Sequence, residues 1–276
     1  MVNNNTLAVK FIGRLLEHPK VKDLENYDDS GVKVSIHTYD VLKCCESQIL
    51  KDFKNLEVAS KKIEFFDLII GVIIHDLSKG SIRKEGEDIS HSQMMIKNPD
   101  YIVKECQKLL EEIEEEFGYQ LKSNITKNIL HIVVSHHGRW GKIQPGSREA
   151  HIVHKADEYS AKYHRINPVA SDKILKLMVE GFDLEEIGRL LSCTSGILKD
   201  RLKRTKQELN IKNTKQLVGY YKKNKKVPLG DEFFEKRIIE TDSLIKLVTK
   251  EGVKKLVLDS DLINYLEDSE IFNREI

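Results

Sequence analysis

The chain has only four cysteines, five prolines and one tryptophan in 276 residues. Cys44, Cys45, Cys106 and Cys193 show no C-x-x-C spacing and two are neighbours, so neither a disulfide framework nor a thiolate zinc knuckle is expected. So few prolines, with fifteen glycines, argue against collagen-like, linker-rich or many-turned all-β architectures. Long hydrophobic runs are missing too. The longest, Leu68 to Ile74, is far short of a membrane span, and Met1 to Thr6 has no signal-peptide character. Neither charge prevails, because 45 Lys+Arg stand against 44 Asp+Glu, a net +1 that excludes a uniformly basic or acidic polymer-coating protein. What remains is 40% hydrophobic and 32% charged, enough to bury a core. A reduced, cytoplasmic, soluble protein with no membrane association is expected.

A helical period dominates the pattern. Val41, Leu42, Cys45, Ile49 and Leu50 recur at three-and-four spacing, as do Ile102, Cys106, Leu109, Leu110 and Ile113. Glu105 to Phe117 is rich in helix-forming Glu and Leu, with Gly118 placed to close it. Phe65 to Ile74 has an apolar face so wide that its helix should run through the middle of the fold. The one strand candidate is Val32 to Ile36. The fold class expected is all-α.

Charge divides the chain. Between Gly196 and Lys226 there are eleven Lys/Arg against two Asp/Glu, so a basic block sits on a mildly acidic remainder. Proline disfavours helix at the residue before it, which puts one boundary near Ile166-Asn167-Pro168 and another near Val227-Pro228-Leu229-Gly230. The expected division is 1–168, 169–228 and a helical tail, 229–276.

Ten histidines are present, and their order matters more than their number. His37 opens a helix-like segment, and His75-Asp76 closes the most apolar helix. His91 comes next, His136-His137 ends the apolar run from Ile129, and Asp157 sits on another amphipathic helix. A polar His-Asp pair at the end of an apolar helix needs partners, since an unpaired buried charge costs several kcal/mol, and a metal ion supplies them. Imidazole and carboxylate donors without thiolate suit Mn, Fe, Co, Ni or Zn, with Mg possible where waters fill the shell.

This ordered series resembles the HD-domain metal-dependent phosphohydrolase superfamily from about His18 to Arg165. His75-Asp76-Leu77-Ser78-Lys79 resembles that family's H-D-x-x-K signature, with Ser78 where glycine is commoner. Ser135-His136-His137-Gly138, Glu149-Ala150 and His154-Lys155-Ala156-Asp157 are similar to the HD domain that ends bacterial 3′-to-5′ exoribonucleases. The resemblance implies an all-helical domain in which His37, His75, Asp76 and Asp157 hold a first divalent metal. His91 and His136 are the further ligands of a second, Asp76 bridges, and His137 is an added ligand or a neighbour of one. Two such metals would activate a water and clamp phosphoryl oxygens. Lys79 would reach a substrate phosphate, and Arg139, Lys142 and Arg148 lie on the segment after the His-His pair as further phosphate-binding candidates. His131 and His154 are read as core histidines, His18, His151 and His164 as structural or surface groups, and Tyr39, Tyr159 and Trp140 as packing aromatics. Some HD-fold enzymes are di-iron oxygenases with nearly the same ligand order; the cation-rich segment favours a phosphate substrate. No oligonucleotide-binding barrel precedes the HD-like region, which speaks against processive RNA degradation.

In the basic block, Gly181 can stop one helix and Asp183 can cap the next with Glu186 as capping-box partner. Ile187, Leu190 and Leu191 form that helix's apolar stripe. Thr194 can cap a third helix that carries Ile197, Leu198, Leu202 and Thr205 inward and Lys199, Arg201, Lys203, Arg204 and Lys206 outward. Over about fifty residues the block resembles a LuxR/GerE-like helix-turn-helix, with Gly188 and Ile197 as departures. That resemblance implies Lys199 and Arg201 as base-contact and Lys203 and Lys215 as phosphate-contact candidates for DNA.

The reading is a metal-dependent phosphohydrolase, a phosphomono- or phosphodiesterase acting on a nucleotide or nucleic acid, with a DNA-binding module. Its catalytic residues would be Asp76 and Lys79, and a homodimer through the tail is possible. The alternative is a transcriptional regulator whose metal pocket senses a nucleotide without turnover.

Overall fold

Segments with three-and-four apolar spacing fold as helices in the computed structural model, which describes residues 6–29, 32–80, 90–165, 169–191, 193–227 and 231–273. Strand among these residues is confined to the two-residue antiparallel pair Asp28–Asp29 with Val32–Lys33 and one bridge, Leu121 to Phe272. The strand candidate Val32 to Ile36 is thus corrected. Only its first two residues pair, and Val34 already starts a helix, Val34–Asp52. Val34, Ser35 and Ile36 are all buried, so no face alternates there as a half-exposed strand requires.

The chain forms two units, one of residues 1–165 with 244–276, the other of 166–243. Both expected linkers, Ile166–Pro168 and Pro228–Gly230, lie outside the described residues. The expected tail at 229–276 divides differently in the structure, because from Leu244 the chain returns to the first unit. Val248, Val257, Leu262, Ile263, Leu266, Ile271 and Phe272 join its buried core. Asp268 accepts the backbone N–H groups of Leu7 and Ala8, both at 2.9 Å, so a residue near the far end of the sequence caps the first helix, Leu7–Glu17.

In the first unit Phe65–Ile74 is buried at every position, as its wide apolar face predicts. Gly71 sets its approach to the Ser123–Ser135 helix, since a Cβ there would lie 2.6 Å from Ile132 Cγ2. The Pro99–Phe117 helix stops at Gly118, whose φ is +76°. Asp67 is the one carboxyl on the Phe65–Ile74 helix. Its Oδ2 accepts from Asn128 Nδ2 at 2.7 Å while Oδ1 is buried with no hydrogen-bond partner.

The second unit packs Val169, Ile174, Leu175, Ile187, Leu198, Leu202, Leu217 and Val227 into its own core. Its helices are Ser171–Glu180, Leu184–Leu190, Ser195–Glu208 and Thr214–Asn224. Gly181 ends the first at φ +101°, Asp183 and Glu186 make the capping box, and Thr194 accepts from Ile197 N–H. Gly188 is needed for closeness, since a Cβ there would meet Cys193 O at 2.7 Å. Leu190, expected in the stripe, is exposed, because its short helix ends there and Ile187 alone of the three is fully buried. No helix among the described residues is long and apolar enough to cross a membrane.

Candidate metal centre

Two helix ends build the centre. His75 and His136 each come directly after the last residue of a helix, Phe65–Ile74 and Ser123–Ser135. The last carbonyls of a helix have no intrahelical donor, and each imidazole uses one. His75 Nδ1 bonds Val72 O at 2.7 Å and His136 Nδ1 bonds Val133 O at 2.6 Å. Carbonyls accept, so both Nδ1 atoms carry a proton, and each Nε2 offers its lone pair when the ring is neutral. The Gly71 crossing holds these two helices close, and the rings stand 5.0 Å apart. The negative ends of both helix dipoles favour a cation here.

The Asp76 carboxylate occupies the middle. Its Oδ2 lies 3.3 Å from His75 Nε2 and 3.7 Å from His37 Nε2; its Oδ1 lies 3.4 Å from His91 Nε2 and 4.0 Å from His136 Nε2. Asp157 Oδ1 is 2.9 Å from His37 Nε2 and 4.0 Å from His75 Nε2. His137 joins His91 and His136 in a further donor group. All seven expected ligand residues therefore meet: His37 and His75 lie toward one oxygen of Asp76 and group with Asp157, while His91 and His136 lie toward the other and group with His137.

These side chains fit divalent ions. Adjacent donors at bonds of roughly 2.1 Å lie about 3 Å apart, close to the His37–Asp157 and His75–Asp76 distances. The Nε2 atoms of His75, His91 and His136 are buried and have no hydrogen-bond partner. Five imidazoles and two carboxylates are donors that divalent ions accept. Burial by itself raises the Asp76 carboxyl, but Lys79, His75 and His91 outweigh it and hold it well below the usual range. Burial pushes His91 down to about 3 and, with His137 and His75 beside it, His136 far below its ordinary value, so both stay neutral as ligands must.

The expected phosphate-binding residues are dispersed. Lys79 is buried, and its ammonium donates to Asp76 Oδ2 at 2.7 Å and to Asp29 Oδ2, on the small hairpin, at 2.6 Å. Arg139 is exposed beside His137, 3.8 Å from Glu158 and stacked on Trp140. Lys142 is exposed on the same segment. Arg148 is not at the centre: it starts the helix that carries Asp157, nine residues and about 13 Å along the axis away, and donates to Lys62 O. Of the aromatics, Tyr39 is buried as expected; Tyr159 is half exposed but packs its ring 4.7 Å from that of Tyr163, and Trp140 is exposed under Arg139.

Sequence reasoning missed four supporting side chains. Ser78 bonds His91 Nδ1 at 2.9 Å, Ser160 bonds His37 Nδ1 at 3.0 Å, and Asp40 and Asp29 stand behind Ser160 and Lys79. Helical spacing was the available signal for two, since Asp40 comes three residues after His37 and Ser160 three after Asp157. His154, read as a core residue, bonds His136 O through Nδ1 at 2.7 Å and packs under Gly138, steadying the His136–Gly138 turn. His164, read as structural or surface, bonds Asp40 at 2.8 Å.

Residues 34–162, the segment holding all seven donors and Lys79, match the family model of the HD domain. Over 138 residues the chain is 32% identical to a dihydroneopterin 2′,3′-cyclic phosphate phosphodiesterase of Methanocaldococcus jannaschii, which covers 49% of this chain and 47% of that protein. The chain thus spans about half the length of the curated relative it matches. Together the matches support an HD-superfamily hydrolase, on a segment that covers less than half of the chain. No solved structure gives a significant match.

Proposed function

We propose that this chain is a metal-dependent phosphodiesterase acting on a small phosphodiester of the nucleotide type. The observation that carries this reading is the Asp76 carboxylate, with histidines gathered at each of its two oxygens. His37, His75, Asp157 and Asp76 would hold one divalent ion, and Asp76, His91, His136 and His137 a second. Such ions supply a Lewis acid for the phosphoryl oxygens and lower the pKa of water. The chain's own residues do the rest. Burial of the donors strengthens every charge interaction among them, and Lys79 holds Asp76 ionised. Arg139, exposed two residues after His137 and 3.8 Å from Glu158, is the candidate to meet an incoming anion. The relative's printed activity on a cyclic phosphate supports a diester over a monoester. The local likeness to exoribonuclease HD domains keeps a single-stranded end as the other substrate class.

The second unit supports a DNA-docking role, its capped helices presenting Lys199 and Lys203 to solvent. Arg201 is a weaker base-contact candidate, for its Nε and Nη2 are shielded from solvent.

The test is phosphate-ester hydrolysis by the Mn²⁺-loaded chain on 2′,3′-cyclic nucleotides, linear dinucleotides, nucleoside monophosphates and short RNA. Turnover lost in Asp76→Ala supports the enzyme. Nucleotide binding without turnover across the panel would replace it with a regulator whose pocket senses a nucleotide.

A further inference from the structure

His75 and His136 sit at helix ends, where free carbonyls fix their rings. His37 cannot use that device. It lies in the first turns of the Val34–Asp52 helix, where upstream carbonyls bond along the helix, and its Nδ1 bonds a side chain instead. That partner is Ser160, buried and 3.0 Å away. Ser160 in turn donates its hydroxyl proton to Asp40 Oδ2, which also bonds His164 Nδ1 at 2.8 Å.

We propose that Ser160 and Asp40 are positioning residues that orient His37 toward the metal, a step that rests on reading His37 as a ligand. A hydroxyl has one proton. With that proton on Asp40, Ser160 can only accept from His37 Nδ1–H, which leaves Nε2 to face Asp76 and Asp157. The same two helices do both jobs. One turn of Val34–Asp52 carries His37 and Asp40, and one turn of Arg148–Ser160 carries Asp157 and Ser160. Each helix thus puts a ligand forward and one member of the relay three residues behind it. Partners of this kind typically change metal affinity 10- to 100-fold.

A competing use of the same atoms exists, since Asp40, Cys44 and His164 place donor atoms within 4.8 Å of one another. Two features favour the relay. Asp40 Oδ2 already accepts two hydrogen bonds, and burial, with Asp40 and Asp157 nearby, pushes the Cys44 thiol up and away from the thiolate an ion needs.

The experiment measures Mn²⁺ and Zn²⁺ affinity by chelator competition, with ion stoichiometry, for the full chain and for Ser160→Ala, Ser160→Thr, Asp40→Asn and Cys44→Ser. Circular dichroism checks that each variant is folded. Ser160→Ala should weaken the tighter ion about 10- to 100-fold. Ser160→Thr, which keeps the hydroxyl, should restore it. Asp40→Asn lets an amide donate to Ser160, reversing the serine proton toward His37, so it should weaken the ion although it is isosteric. Zn²⁺-loaded protein should show His37 bound through Nε2 in ¹⁵N spectra. Unchanged affinity in a folded Ser160→Ala overturns the relay while leaving the metal reading intact. A separate ion lost in Cys44→Ser overturns it in favour of the cluster. Parent protein that takes up no ion overturns the metal reading and the relay together.

Discussion

Asp67 is a carboxyl on the most apolar helix of the chain, and replacing it with Asn separates the effect of its charge from that of its shape. Burial, only partly offset by the Asn128 hydrogen bond and reinforced by Glu64 and Glu149, lifts it from an ordinary 3.8 to about 7. A group raised in this way binds its proton more tightly in the folded chain. Stability is therefore undiminished below about pH 4, falls as pH rises through the interval, and levels off above about 7. At 1.36 kcal/mol per unit, the loss between pH 5 and 7.5 comes to about 2.5 kcal/mol. His91 and His136 pull the other way, since unfolding lets them take up protons below about pH 6.5. Their contribution is the same in both proteins and cancels in the difference. Urea unfolding, read from the fluorescence of the single tryptophan, Trp140, would be run in chelator so that no ion adds its binding energy. The advantage of Asp67→Asn over the parent should grow by about 2.5 kcal/mol from pH 5 to 7.5. A difference that stays flat, or shrinks, refutes the assignment of this titration to Asp67.

Gly138 has φ +51°, and a Cβ there would lie 2.4 Å from the His154 ring. Gly138→Ala should move the His136–His137 turn and lower the stoichiometry of the second ion, while Gly13→Ala, where a Cβ meets nothing within 4 Å, should leave it near that of the parent; calorimetric titration with Mn²⁺ checks this. The double substitution Lys199→Ala, Lys203→Ala should weaken duplex DNA binding and flatten its salt dependence by about two ions. Unchanged binding in a filter assay would count against the DNA-docking role.

How much of this could be read from residues alone depends on how local each signal is. Caps are local, so Asp183 with Glu186, Thr194, Gly118 and Gly181 were legible from one turn of sequence. His75-Asp76 stood out because imidazole and carboxylate are scarce on apolar helices, while the other expected donors came from the ordered series and the family it resembles. Arg148 misled because nearness in sequence to the His-His pair is lost once a helix carries Asp157 about 13 Å further on. Ser160 and Asp40 escaped notice because a serine in a helix is ordinary until its partner, 120 residues away, is known. The return of Leu244–Ile276 to the first core left no local mark at all, for its spacing suits any helix partner.

That return has a practical consequence. Every proposed ligand precedes residue 166, yet the body that positions them is completed only by residues 244–276. Val257, Leu262, Ile263, Ile271 and Phe272 are worth about 1.5–3 kcal/mol each when buried, a sum comparable with the whole stability of a domain. A nonsense codon anywhere in the intervening segment would leave the catalytic sequence intact on paper and ruin it in solution. A fragment meant to carry the candidate site would have to join residues 1–165 to 244–276 rather than stop at 165.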